Sequence, residues 1–137
     1  MNKKYNQAFY TIALITILLL AANITSAQTE ITKRVRFPAG INSTVVKGKL
    51  PKEDMTHVYV LRATKGQRIK LSMTFTGRGD AEFSFKLPNG ENVDEDSIIN
   101  TVWEGDLPQT GDYKIRVFNP GKIRGVTSYT LKISLRR

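Results

Sequence analysis

The 137-residue sequence contains no cysteine, a single histidine and a single tryptophan. Without cysteine the chain has no disulfide, no thiolate metal ligand and no cysteine nucleophile. One histidine excludes any mechanism or metal centre that needs two imidazoles, and no Gly-x-Ser-x-Gly nucleophile motif occurs. The sequence therefore offers little for catalysis beyond its carboxylates, no cofactor is expected, and stability must come from an apolar core.

Long apolar runs are confined to the N-terminus. A lysine pair at the start precedes an apolar run over residues 8–22, and the next five residues end with small side chains at the positions that signal peptidase reads. The run is shorter than the roughly 20 residues that a membrane-spanning helix needs. We therefore predict a signal peptide over residues 1–27, a single domain over residues 28–137, and a periplasmic or secreted location with no membrane span after cleavage.

Acidic residues are outnumbered, since 21 Lys and Arg stand against 12 Asp and Glu, for a formal net charge of +9. Such a charge favours encounter with a negatively charged partner without identifying it. An acidic protein cleft and an anionic glycan both fit, and so does a basic surface that only keeps the protein soluble. Nucleic acid is not expected, because the aromatic residues that would stack on bases fall on the core phases of the predicted strands.

Helical periodicity is absent after the apolar run, and short alternating segments recur between Gly- and Pro-containing turns. The clearest is residues 68–76, where apolar and polar side chains alternate throughout. A Pro/Gly turn at residues 108–111 leads into a strand whose first inward residue is Tyr113. These patterns predict an all-β fold, a single antiparallel, jelly-roll-like β-sandwich of about eight strands. The predicted strands cover residues 31–37, 43–50, 57–62, 68–76, 81–87, 101–107, 112–119 and 127–135.

Candidate metal and catalytic groups are few. Asp80, Asp94 and Asp96 offer the hard oxygen ligands that calcium prefers, but their spacing matches no EF-hand, and a solvated acidic loop is the alternative. His57 is predicted to be an exposed residue at the start of a strand. The turn at residues 78–80 reads Arg-Gly-Asp, which is an integrin-recognition tripeptide and also an ordinary tight-turn sequence. No metal site is predicted beyond the calcium candidates.

Basic residues gather around the connection between the last two predicted strands, which we expect to pair as a hairpin. Lys122 and Arg124 occupy the loop, Asn119 stands at its base, and Arg116 flanks it on an outward phase. These four residues are predicted to form a cationic partner-binding patch. The alternative is that the cations keep an edge hairpin soluble and unpaired. Four further cations are predicted to lie on the outward faces of these two strands or just after the last one: Lys114, Lys132, Arg136 and Arg137.

Several turn and strand markers occur in a recognisable order. They are Phe37-x-x-Gly40-x-x-Ser43, Tyr59-x-Leu61-x-Ala63-x-x-Gly66-Gln67, Pro88-x-Gly90, Leu107-Pro108-x-x-Gly111-x-Tyr113-x-Ile115-Arg116-Val117 and Tyr129-x-Leu131. This order resembles bacterial pre-peptidase C-terminal domains, and within that group it is most similar to the periplasmic inhibitors of g-type lysozyme. The resemblance covers nearly all of residues 35–135.

The resemblance implies a non-enzymatic sandwich whose loops at one end plug the substrate groove of a g-type lysozyme. Because a lysozyme cleft carries catalytic carboxylates, cations on a rigid loop suit it. We expect Lys122 and Arg124 to enter the cleft, with Asn119 and Arg116 beside them. The alternative is a pre-peptidase-type module that binds carbohydrate or another envelope protein, with or without calcium as a stabiliser.

Overall fold

The computed structural model describes residues 29–51, 55–98, 100–121 and 125–137. Within these ranges the chain forms eight strands and a short 3-10 turn, and it contains no helix long and apolar enough to cross a membrane. The predicted all-β class is confirmed. The strands are β1 (Thr29–Arg34), β2 (Ser43–Leu50), β3 (Met55–Ala63), β4 (Arg68–Gly77), β5 (Glu82–Lys86), β6 (Val102–Asp106), β7 (Gly111–Phe118) and β8 (Thr127–Arg136), with the 3-10 turn at Glu95–Ser97.

The strands form two four-stranded sheets. Sheet A has the order β1-β3-β7-β5, and sheet B has the order β2-β8-β4-β6. Consecutive strands of the described chain therefore always lie in opposite sheets, and each connection crosses between them, as in a jelly-roll-like sandwich. The pairings are antiparallel except for that of β1 with β3, which is parallel. The predicted sandwich is confirmed, with one parallel pair at the edge of sheet A.

The predicted hairpin between the last two strands is wrong. β7 lies inside sheet A between β3 and β5, whereas β8 lies inside sheet B between β2 and β4. The chain therefore passes from one sheet to the other between Phe118 and Thr127, and we call this connection the arch. The outward cations of the two strands consequently lie on opposite faces of the molecule, and neither strand is an edge strand. Lys114 and Arg116 belong to sheet A, while Lys132 and Arg136 belong to sheet B.

Aromatic side chains fill the space between the sheets. Phe85 stacks on Tyr113 with ring centroids 5.5 Å apart and lies 5.1 Å from Trp103. The Trp103 indole Nε1 donates to both carboxylate oxygens of Asp94, at 3.1 and 3.2 Å. The Tyr113 hydroxyl donates to the Gln109 carbonyl at 2.6 Å, which ties the turn before β7 to the core. Tyr113 is therefore the inward residue that the sequence predicts, and burial of each such ring contributes a few kcal/mol.

The connections β2–β3, β4–β5 and β7–β8 meet at one end of the sandwich, which we call the arch end. In sheet B, Leu50 and Gly77 both pair with Thr127, the first residue of β8. In sheet A, the beginnings of β3 and β5 both lie beside Phe118, the last residue of β7. The antiparallel register thus brings three loops together at this end.

Candidate functional site

The arch end is held together by close backbone packing between two of its loops. Gly79, between β4 and β5, has no space for a side chain, because a Cβ there would overlap Thr127 Oγ1 and lie 2.5 Å from the Gly125 carbonyl oxygen. The neighbouring Arg78 backbone N–H donates to the Val126 carbonyl at 3.2 Å. The β4–β5 turn and the end of the arch therefore form one packed unit.

Asn119 closes the base of the arch. Its side chain is buried, and its Oδ1 accepts a hydrogen bond from the Gly121 backbone N–H at 2.9 Å. Gly121 has φ of 75°, a left-handed conformation that favours glycine over other residues. Asn119 is thus placed at the predicted site, where it shapes the arch from within.

The other predicted site residues are not all brought together. Lys122 and Arg124 lie outside the described residues. Arg116 lies on the outer face of sheet A, in cross-strand register between Val58 and Ser84. Its Nη2 is 3.5 Å from Glu30 Oε2, so this cation is already engaged with an acidic group on β1. Arg116 is therefore near the arch end, but on a sheet face rather than on a loop.

Arg78 is an exposed cation at the arch end that the sequence analysis treats only as part of an adhesion tripeptide. The tripeptide is not a free loop, because Gly79 is buried against the arch and Gly125 packs on the Arg78 backbone. The signal that points to this packing is the pair of glycines, Gly77 and Gly79, on either side of Arg78. Glycine at this spacing is typical of backbone that another segment approaches closely.

A buried polar cluster lies one layer beneath the arch end. The Tyr129 hydroxyl is 2.5 Å from His57 Nδ1 and 2.7 Å from the Tyr59 hydroxyl. This geometry fits a chain in which Tyr59 donates to Tyr129 and Tyr129 donates to an unprotonated imidazole nitrogen. Gly48 provides the room, since the Tyr129 ring occupies the space that a side chain at Gly48 would need. The cluster links β3 of sheet A to β8 of sheet B.

The prediction that His57 is exposed is wrong. The residue is buried because side chains alternate between the two faces of a strand, so His57 lies on the inner face of β3 together with Tyr59 and Leu61. Burial lowers the pKa of His57 below its ordinary value of 6.5, and the charge of Lys33 lowers the pKa further. Burial also raises the pKa of Tyr129 and of Tyr59. The cluster is therefore neutral at neutral pH and serves to hold the two sheets together.

Two acidic side chains, Asp94 and Glu104, make structural contacts. Asp94, a calcium candidate, accepts the Trp103 hydrogen bonds, and no three or more His, Asp or Glu side chains of the described chain gather as metal ligands. Glu104 and Arg68 pair at 3.1 Å on the outer face of sheet B, and Arg68, followed by Lys70, lowers the pKa of Glu104.

No protein-family model and no curated protein matches this sequence. Solved structures do match. PliG from Aeromonas hydrophila, a periplasmic lysozyme inhibitor of g-type lysozyme, has a TM-score of 0.65 and 24% identity over 80% of this chain and 100% of that chain. PliG from Salmonella Typhimurium has a TM-score of 0.56 and 20% identity over 77% and 98% of the two chains. The pre-peptidase C-terminal domain of Bacillus anthracis collagenase has a TM-score of 0.51 and 18% identity over 80% and 99%. The fold is the one these proteins share, as the sequence resemblance predicts.

Proposed function

We propose that this protein is a non-enzymatic, exported inhibitor that binds a g-type lysozyme and occludes its substrate groove. The observation that carries the proposal is that the chain spans the full length of the Aeromonas hydrophila inhibitor in the same fold. The predicted signal peptide over residues 1–27 and the periplasmic location of that inhibitor support export to the periplasm.

The arch end is the surface that we assign to lysozyme. The packing of Gly79 against Gly125 and Thr127 makes this end rigid, so little conformational entropy is lost on binding. Arg78 is exposed there, and Lys122 and Arg124 belong to the same arch by sequence. Cations at this end are suited to pair with the carboxylates of a muramidase cleft and to exclude water from them. Asn119 positions the arch, and Arg116 contributes positive charge from the adjacent face.

Inhibition is tested by following the lysis of a bacterial cell-wall suspension by a purified g-type lysozyme. We expect excess protein, without its first 27 residues, to abolish the fall in turbidity. Undiminished lysis at excess protein would refute the proposal.

The site is tested by the double variant Lys122→Ala/Arg124→Ala. We expect the inhibition constant to rise about a hundredfold, because truncating a charged anchor in a desolvated interface commonly costs 2 kcal/mol or more. The matched control is Lys65→Ala/Arg137→Ala, which removes the same charges from the opposite end of the sandwich, where both residues line one open pocket. Equal effects of the two pairs would show that net charge, not the arch, governs inhibition.

A further inference from the structure

The outer face of sheet B carries a second basic surface, distinct from the loops of the arch end. In the β2–β8–β4 register, Lys47 lies opposite Thr130, which lies opposite Thr74. The next outward row repeats the pattern with another lysine followed by two hydroxyls. We call these two rows the lysine–hydroxyl groove, made of Lys47, Lys49, Thr74, Thr76, Ser128 and Thr130.

The rows border an open depression on the sheet. Its volume is about 430 Å³, and the residues between the row members, Gly48, Phe75 and Tyr129, complete its lining. Facing residues on neighbouring strands lie about 5 Å apart, and successive outward residues on one strand about 7 Å apart. The groove therefore offers a regular grid of two ammonium groups and four hydroxyls.

The lysines of the groove have no acidic partner in the described part of the chain. Elsewhere on the same face Arg68 pairs with Glu104 and Asp106, and Lys70 pairs with Glu104 at 3.3 Å, which leaves Arg136 as the one cation there without a described ion pair. Lys132, in the row next to Lys47, is also exposed and has no described ion pair. Positive charge on sheet B is thus concentrated at the groove, where it is available to an external anion.

We propose that the lysine–hydroxyl groove binds an acidic polysaccharide. An ammonium group donates to carboxylate, sulfate or phosphate, whereas a threonine or serine hydroxyl both donates and accepts, as a sugar hydroxyl does. A polymer that carries both anionic groups and hydroxyls therefore satisfies every outward side chain of the two rows. The groove is open along the sheet, so a chain can lie across it without an end having to enter.

Other polyanions complement the groove less well. The outward side chains of the two rows are all polar, and of the two aromatic residues in the lining Tyr129 is buried and Phe75 is 38% exposed. One partly exposed ring is less than the apolar face that insertion into a bilayer needs, and it offers an unpaired base a single stacking position. An anionic bilayer and a single-stranded nucleic acid are therefore the competing ligands in the test.

The test uses the protein without its first 27 residues and polygalacturonate as the probe, in a low-salt titration by calorimetry. We expect polygalacturonate to bind and dextran, an uncharged polysaccharide, not to bind. We expect Lys47→Gln/Lys49→Gln to raise the dissociation constant about tenfold, in line with the loss of two exposed charge contacts. The matched control, Lys65→Gln/Lys114→Gln, removes the same charge from exposed positions outside sheet B and should change binding less than about twofold.

A second pair of variants tests the hydroxyls. Thr74→Val/Thr76→Val keeps the β-branched shape and should weaken polygalacturonate binding about fivefold, since each lost hydrogen bond is worth a modest factor. Circular dichroism and melting temperature check that all variants fold.

The proposal would be overturned if Lys47→Gln/Lys49→Gln and the control Lys65→Gln/Lys114→Gln weakened polygalacturonate binding equally. It would also be overturned if Thr74→Val/Thr76→Val left the dissociation constant unchanged. A third such result is lysine-dependent binding only to phosphatidylglycerol vesicles or to an oligothymidylate. These assays contain no lysozyme. Failure of the glycan site and failure of lysozyme inhibition are therefore separate outcomes.

Discussion

At the scale of single residues, Tyr129 joins the two sheets through its buried hydroxyl. Its hydroxyl bonds both His57 and Tyr59, and its ring fills the space above Gly48. Side chains alternate along β3, which places His57 on the inner face with Tyr59. The burial of His57 could therefore have been predicted from this alternation alone. The hydrogen bond to Tyr129 could not, because it joins residues 72 positions apart in different sheets.

Tyr129→Phe should lower the free energy of unfolding by about 1–3 kcal/mol, because it leaves the buried His57 nitrogen without its donor. Tyr59→Phe should cost less, since the bond between Tyr129 and His57 survives. Urea denaturation of both variants measures the difference. A smaller loss in Tyr129→Phe than in Tyr59→Phe would contradict the proposed direction of the hydrogen-bond chain.

His57 should also make stability depend on pH. Its folded pKa lies below the unfolded value of 6.5, so the unfolded state takes up the proton first. The stabilisation by neutral His57 is fully present above pH 6.5 and is lost as the pH falls from there towards the folded pKa. The lowered pKa values of Glu104 and Asp112 act only at lower pH, below about 5.

The measurement is the free energy of unfolding between pH 7.5 and pH 5. We expect it to decline in the unmodified protein and to be flatter in His57→Gln, which does not titrate. The same slope in both proteins would assign the decline to other groups.

At the scale of elements, period-two alternation locates the strands well. The predicted bounds of β2 agree with the structure, and those of β4 and β8 differ by one residue at a single end. β1 differs most, since it begins at Thr29 and ends at Arg34, before the buried Val35. An edge strand with six exposed residues has no buried face to fix its extent, which explains the difference.

Gly79→Ala tests the packing of the arch end. The added methyl group collides with Thr127 Oγ1 and approaches the Gly125 carbonyl, so the β4–β5 turn and the arch must move apart. We expect a loss of about 1–3 kcal/mol in stability and weaker lysozyme inhibition. Arg78→Ala, which truncates the adjacent exposed side chain, should leave the melting temperature unchanged. Equal melting temperatures for Gly79→Ala and the unmodified protein would show that the two loops are not packed as a unit.

At the scale of the whole molecule, the assignment of strands to sheets is what the sequence does not reveal. A hairpin and an arch bury the same alternate residues of β7 and β8, so Tyr113 and Tyr129 face the core in both. Whether the chain forms a hairpin or an arch depends on pairings between strands far apart in the sequence, such as β2 with β8. The alternation of side chains within one strand does not indicate such pairings. The same choice places Arg116 and Lys132 in different sheets, so these two outward cations lie on opposite faces.

The net charge predicts how lysozyme binding depends on salt. Without residues 1–27, which hold two lysines and no acidic residue, the formal net charge is +7, so the protein should be steered towards an acidic cleft, and screening should slow this approach. Raising sodium chloride from about 50 to 500 mM should reduce the association rate constant about tenfold and change the dissociation rate constant much less. Surface plasmon resonance measures both constants. An association rate constant that does not change with salt would contradict electrostatic steering.

None of the eight described strands pairs with the strand that follows it in the chain, so no local hairpin is available to start folding. The strand completed last, β8, occupies an interior position between β2 and β4. A ribosome must therefore release almost the entire polypeptide before sheet B can assemble, and folding should take milliseconds to seconds. Until then the polypeptide stays unfolded, which is the state that a narrow translocation channel accepts.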